Sequence, residues 1–349
     1  MIYKSAKYAL AAAAVLAFAG GQADAQQTQT IRFANWVPPT HTQTPLQQKW
    51  QDLVVKYSNG GIKFSYDKAA VAKPDGQYDV VKNGVRDIVW HIPGYTPGRQ
   101  VLVTVAEGPF KSPSATFTSP ILQAWYHKHG FDAKEFDDVH LLFVWLSGGT
   151  HIHFTKGHAN VATLDQLKGI KVRGRGGSVA SAKALGLSVV SFPMNDAYDA
   201  LQRGTIDGLL SNFEAITSFN MTELLPNHLL VPGSMASASF SMIMNKKTYD
   251  GLTKSNRAAI DKAAGVAGAA MFGKAWDAAD VVAKAKFKKL GHHFTTLSDA
   301  QLKIWKQKLD FIRQAWIDKA NKKGVDGKAA MEDFEKMLAA GPKAAMMMK

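Results

Sequence analysis

The chain has 349 residues, with 42 Lys and Arg against 28 Asp and Glu for a net charge of +14, and it is 46% hydrophobic and 20% charged. That balance describes a packed globular protein of one large or two ordinary domains and excludes disordered and fibrous classes. Cysteine is absent, which removes disulfide frameworks, thiolate metal sites, Cys nucleophiles and thiol redox chemistry. The positive charge alone does not choose between nucleic acid, an anionic membrane and small anionic ligands.

The N-terminus reads as a secretory signal. Lys4 and Lys7 precede the apolar run 8–19, followed by Gly20, Gly21 and the small-residue site Ala23-Asp24-Ala25. The run is well short of the roughly 20 residues a membrane span needs, and the A-x-A exit predicts cleavage after Ala25. Cleavage removes only Lys4, Lys7 and Asp24 from the charge count, so the mature chain stays strongly basic. The expectation is a soluble, exported protein.

From there, short β-rich runs alternate with helical patterns, the signature of α/β units. A strand is predicted at 31–34 and is broken by Pro38 and Pro39. A helix over 45–57 places Leu46, Trp50, Leu53, Val54 and Tyr57 on one face, with Thr44 as its N-cap and Asn59-Gly60 as its stop. A strand at 62–66, a short helix at 78–82 and a strand at 88–90 complete the first series. The second opens with the apolar strand 140–146, which stops at Ser147-Gly148-Gly149. Thr163 and Gln166 form a capping box, then strand 170–173, helix 179–185, strand 189–191, helix 196–203 and strand 206–209 follow. Two such units predict two lobes with a cleft between them. Beyond strand 240–244 lie two long helical tracts, 257–289 and 299–322. The first is long enough to span both lobes, with Gly265, Gly268 and Gly273 as bend points.

The chemistry-bearing residues are few. Gly174-Arg175-Gly176-Gly177 lies between a strand and a helix, where free N–H groups favour an anion, but it lacks the spacing of a dinucleotide fingerprint and has no Walker lysine. Arg173 stands at the carboxyl end of its strand, where α/β lobes meet ligands, and its guanidinium can clamp a carboxylate with two parallel bonds. His151 and His153 share a strand face, yet no further ligands stand at metal spacing, so no metal is expected. One of the two is read as a hydrogen-bonding group in the cleft. The run Lys284, Lys286, Lys288 and Lys289 before His292-His293 is read as a solvated helix face rather than a nucleic-acid contact. No G-x-S-x-G elbow or Ser-x-x-Lys set supports nucleophilic catalysis, so no catalytic residue is assigned. Trp36, Trp90, Tyr95 and Phe213 sit in or after strand ends and are candidate walls of a small-ligand pocket.

The segment Tyr198-Asp199-Ala200-Leu201-Gln202-Arg203-Gly204-Thr205-Ile206-Asp207-Gly208, preceded by Leu167-Lys168-Gly169-Ile170-Lys171-Val172-Arg173, closely resembles the periplasmic solute-binding subunits of tripartite ATP-independent periplasmic (TRAP) transporters, the DctP-like family. The likeness extends to Phe33-Ala34-Asn35-Trp36 with Pro38 and His41, to Asn83-Gly84-Val85-Arg86-Asp87-Ile88, and to Met244-Asn245. It implies an α/β fold of two periplasmic-binding-protein lobes joined by hinge crossover strands and a long lobe-spanning helix. After the signal at 1–25, lobe I would comprise 26–147 plus about 236–275 and lobe II 148–235 plus about 276–349. It implies capture of a small organic acid whose carboxylate pairs with Arg173, and delivery to a small and a large integral membrane subunit driven by an ion gradient, in the periplasm and without a cofactor. Two departures bear on the ligand. His151 stands where some relatives carry a second arginine, and the cleft asparagine falls at Ser211 or Asn212. Both favour a ligand with one essential carboxylate and a less polar remainder, walled by Trp36, Trp90 and Phe213. Aromatic, hydroxy, keto and dicarboxylic acids stay open. The alternatives are an exported enzyme acting on an anionic substrate in the same cleft, or a polyanion-binding protein.

Overall fold

The structure, a computed structural model, describes residues 28–38, 41–67 and 69–347. The signal segment 1–25 lies outside the described residues.

Eleven strands are present among the described residues: β1 (Gln29–Ala34), β2 (Ile62–Tyr66), β3 (Ile88–His91), β4 (His140–Leu146), β5 (His151–Phe154), β6 (Lys171–Arg173), β7 (Ser188–Val190), β8 (Gly208–Ser211), β9 (Asn227–Leu230), β10 (Ser239–Met244) and β11 (His293–Thr296). They form two sheets, ordered β2-β1-β3-β10-β4 and β11-β9-β5-β8-β6-β7. The βαβ units pair in parallel, as β1 does with β2 and β3 and β6 with β7 and β8. The strands that enter or leave a lobe by crossing over run antiparallel, β10 against β3 and β4, and β5 against β8 and β9. Each sheet is therefore mixed.

The chain changes lobes between β4 and β5 and again between β9 and β10, and the two crossovers bind each other. The N–H groups of Ser147 and Thr150 donate to Ala238 O and Ala236 O at 2.9 and 2.8 Å, and Met235 N–H donates to Thr150 O at 3.0 Å. The third connection is the helix Gly265–Lys289. Phe272 and Trp276 belong to the first lobe's core, while Ala283 and Phe287 pack with the second lobe's. Gly273 permits close contact with the helix Ala115–Lys128, since a Cβ there would stand 2.6 Å from Ser119 Oγ. Asp277 ties the two helices by accepting the N–H groups of Ala115 and Thr116 at 3.0 and 2.7 Å, a carboxylate at a helix N-terminus.

Three sequence expectations are corrected. The helix predicted over 45–57 starts at Gln43 rather than after Thr44, and Thr42 stands at its N-cap without a side-chain cap bond. The tract 257–289 is two helices, Lys254–Ala263 and Gly265–Lys289, broken where Ala264 is extended and Gly265 takes φ +55°. The division that gave 276–349 to the second lobe also differs from the packing. Trp305 and Leu309 do sit in a second-lobe core, but Trp316, Met331 and Phe334 return to the first. Trp125 draws them there, donating its indole N–H to Ala330 O at 3.1 Å and meeting Phe334 edge-on at 5.3 Å.

Candidate functional site

The two sheets face each other across a cavity of about 90 Å³ that is lined from both lobes and by both crossovers. Trp36, just beyond β1, stacks on Trp90 of β3 with ring centroids 4.5 Å apart and 19° between planes. Its indole N–H donates to Trp90 O at 3.0 Å, which fixes the wall's orientation. Tyr95 meets Trp36 edge-on at 6.0 Å. From the second lobe come Arg173, Met194, Leu210, Ser211 and Asn212.

Arg173 ends β6 and is 3% exposed. Its Nε and Nη2 donate to Phe192 O at 3.0 and 2.8 Å. Burial pushes the guanidinium below its ordinary value, and the neighbouring Tyr95 opposes that shift. Among the described residues no carboxylate lies within ion-pair distance of it. A desolvated cation without a counter-ion is expensive to maintain, and a ligand carboxylate entering beside it relieves the cost.

Of the residues expected in the cleft, Trp36, Trp90, Tyr95, Arg173, Ser211 and Asn212 line this cavity, whereas His151 and Phe213 are not among its lining residues. Phe213 is buried in the second lobe's core, its ring 4.9 Å from His153 and 6.0 Å from Phe287. His151 accepts the N–H of Val231 at Nδ1, and burial, with Lys284 adding to it, lowers its value to about 4. It is therefore a neutral imidazole at neutral pH. The second cation at the cavity is Arg175, two residues beyond Arg173, with its guanidinium 4.5 Å over the Tyr95 ring and a buried Nε that has no hydrogen-bond partner. The sequence reading missed His41, Phe219 and Trp276 as walls. His41 shares the turn after β1 with Trp36, which was the available signal, but Phe219 and Trp276 arrive only by tertiary packing.

The glycine-rich turn after Arg173 already holds an anion. Glu107 of the first lobe accepts Gly177 N–H through Oε2 at 2.9 Å, and its Oε1 accepts the Ser239 N–H at 3.0 Å and the Ser239 hydroxyl. One carboxylate thus joins lobe II to the start of β10. A second interlobe tie runs from Thr42, whose hydroxyl donates to Glu214 Oε1, to which Ser218 also donates at 2.6 Å. Burial raises the values of both Glu107 and Glu214. Behind the site, Asp280 of the long helix accepts Asn212 Nδ2 at 2.9 Å and Glu214 N–H at 2.7 Å. Burial pushes Asp280 up to about 7. These ties hold the lobes in a closed arrangement.

A histidine chain lies deeper in lobe II. His153 Nε2 faces Ser211 O at 3.0 Å, so it carries the proton and leaves Nδ1 to accept from His228 Nδ1 at 2.8 Å. His228 Nε2 in turn accepts from His292 Nδ1 at 3.0 Å. His153 supports Ser211 from behind. No cluster among the described residues is arranged to hold a metal ion.

Two α/β lobes, two paired crossovers, a shared helix and an interlobe cavity with a buried guanidinium define a two-lobed solute-binding protein. The chain matches the family described as bacterial extracellular solute-binding protein, family 7 over residues 33–319, and it belongs to that family. It is 28% identical to a TRAP periplasmic solute-binding protein from Bordetella bronchiseptica solved with bound (R)- and (S)-mandelate, with TM-score 0.84 and coverage of 89% of this chain and 99% of that one. It is likewise 28% identical to a TRAP solute-binding protein from Rhodoferax ferrireducens in complex with copurified benzoate, with TM-score 0.84 and coverage of 90% and 98%. A relative from Comamonas testosteroni described as outer membrane transporter protein TsaT is 26% identical over 90% of this chain and 93% of its own. The chain is a solute-binding protein of the TRAP type, and no helix among its described residues is long and apolar enough to cross a membrane.

Proposed function

We propose that this protein captures an aromatic monocarboxylate in the periplasm and hands it unchanged to the small and large integral membrane subunits of a TRAP transporter for ion-gradient-driven uptake. The observation that carries the reading is the pairing of Arg173, buried without a carboxylate partner among the described residues, with an aromatic wall of Trp36, Trp90 and Tyr95. The guanidinium takes the acid end and the stacked indoles take an apolar ring. Ser211 and Asn212 offer polar edges beside the ring. At about 90 Å³ the cavity is smaller than the roughly 150 Å³ void that holds one benzene, so its size weighs against bodies larger than a single ring. The solved relatives with mandelate and benzoate support the same class.

A ligand that binds only the folded form raises its melting temperature, so a thermal-shift panel tests the reading. Benzoate, mandelate and phenylacetate are expected to raise the midpoint, with succinate and galactonate leaving it unchanged. A shift confined to the dicarboxylate or the sugar acid overturns the assignment. Mass spectrometry of the recovered ligand is expected to return it intact.

A further inference from the structure

A second and much larger chamber, of about 770 Å³, lies on the far side of the contact where the lobes meet. The contact is close: a Cβ on Gly94 would stand 3.5 Å from Gly176 Cα, and Gly177 donates to Glu107 across it. Arg175 is common to the linings of both spaces. Glu107 faces the large one.

The walls of that chamber are mainly apolar and come from three places. Val101, Val105 and Phe110 are contributed by the first lobe, Val179 by the helix Ser178–Ala184, and Ile312 and Trp316 by the C-terminal helices. Its charged lining is unbalanced, with five cations against the two carboxylates Glu107 and Asp310. Two of the cations, Lys111 and Arg313, are already paired with Glu335. Arg175, Lys306 and Lys319 have no ion pair among the described residues. Lys306 stands 5.6 Å from the centroid of the Phe110 ring, so one of the free charges is next to the apolar wall. Glu107, whose two oxygens are held by Gly177 and Ser239, acts electrostatically on Lys319, and the lining still keeps an excess of positive charge.

We propose that this chamber is a second binding site, for an amphipathic organic monoanion too large for the small cavity, whose acid group sits among Arg175, Lys306 and Lys319 and whose rings or chain lie against Phe110, Ile312 and Trp316. Charge complementarity selects the anion, and the apolar walls with the chamber's volume select a large hydrophobic body. The site adjoins the one that Arg173 serves and shares Arg175 with it, while Lys306 and Lys319 line the large chamber alone.

The probe is 1-anilinonaphthalene-8-sulfonate, an amphipathic anion with three aromatic rings, titrated by fluorescence and by calorimetry into the full mature chain. One molecule is expected to bind per protein. Because Lys306 and Lys319 are both exposed, the double variant Lys306→Glu/Lys319→Glu is expected to keep the fold while the dissociation constant rises at least tenfold. Arg173→Ala is expected to leave probe affinity within about twofold. Loss of probe binding in Arg173→Ala would place the probe in the small cavity and overturn the proposal. Unchanged affinity in the double variant, with an unchanged melting temperature, overturns it as well, as does the absence of stoichiometric binding to the wild type.

Discussion

Arg173 spends two of its N–H groups on one acceptor, the carbonyl oxygen of Phe192, at 3.0 and 2.8 Å. Phe192 therefore fixes the plane of the guanidinium before any ligand arrives. Pre-ordering of this kind lowers the entropic cost of binding. Truncating one member of a buried charge pair costs about 2–5 kcal/mol, so Arg173→Ala is expected to weaken the affinity for the cognate acid by roughly 30- to several-thousand-fold. Isothermal titration checks this, and a loss of about threefold or less would remove Arg173 from the site.

Lobe closure should depend on the tie between Thr42 and Glu214. Thr42→Val removes a hydrogen bond to a buried carboxylate that is made only when the lobes meet. Hydrogen bonds to charged groups are worth about 1.5–3 kcal/mol, so affinity should fall roughly 10- to 150-fold. Solution scattering is expected to show that the ligand compacts the wild type and compacts the variant less. Equal affinity in the two proteins would show that the tie contributes nothing to closure.

Gly177 approaches Glu107 so closely that a Cβ there would stand 2.6 Å from the Glu107 carbonyl oxygen. Backbone on one side and a short turn on the other leave no room to yield. Gly177→Ala is expected to hold the lobes apart, lowering ligand affinity at least tenfold while the melting temperature of the ligand-free protein changes little. An unaltered affinity would mean that the closed contact is dispensable.

The histidine chain makes a prediction about pH. Burial lowers His228 to about 3 and His153 well below its ordinary value. A histidine with a depressed value in the folded state is neutral there and charged in the unfolded chain below about pH 6.5. Its contribution to stability is therefore present above pH 6.5 and lost as pH falls from 6.5 towards 3. Asp280, raised to about 7, tilts stability the opposite way, so the readout is a difference between two proteins. His228→Gln is expected to flatten the fall in unfolding free energy by about 1.4 kcal/mol per pH unit below 6.5 relative to wild type. Denaturant titrations at pH 7.5, 6.0 and 5.0 measure it, and parallel slopes would contradict the assignment of a buried neutral imidazole.

Much of this architecture is legible in the chain because the informative features are local. Arg173 is marked by its position at a strand's end, and Trp36, Trp90 and Tyr95 by theirs beyond strands of the first lobe, so these four can be read without the fold. Ser211 and Asn212 come from the resemblance to the solute-binding family, whose cleft asparagine aligns just after the Asp207-Gly208 strand. His151 and Phe213 illustrate the boundary of that logic. Strand periodicity shows that His151 and His153 share a face, but not that β5 lies between β9 and β8 with that face turned to Phe213 and His228. Trp276 and Phe219 reach the cavity from elements distant in sequence. The return of Trp316 and Phe334 to the first lobe has no local marker either, since an amphipathic helix records that it packs but not against which core.

The central claim is that a carboxylate completes Arg173 inside an aromatic cage. A crystal structure of the protein grown with benzoate tests it most directly. The account predicts the benzoate carboxylate within about 3 Å of the Arg173 guanidinium, with the ring against Trp36 and Trp90. Benzoate lodged elsewhere, with no carboxylate at the Arg173 guanidinium, would contradict it.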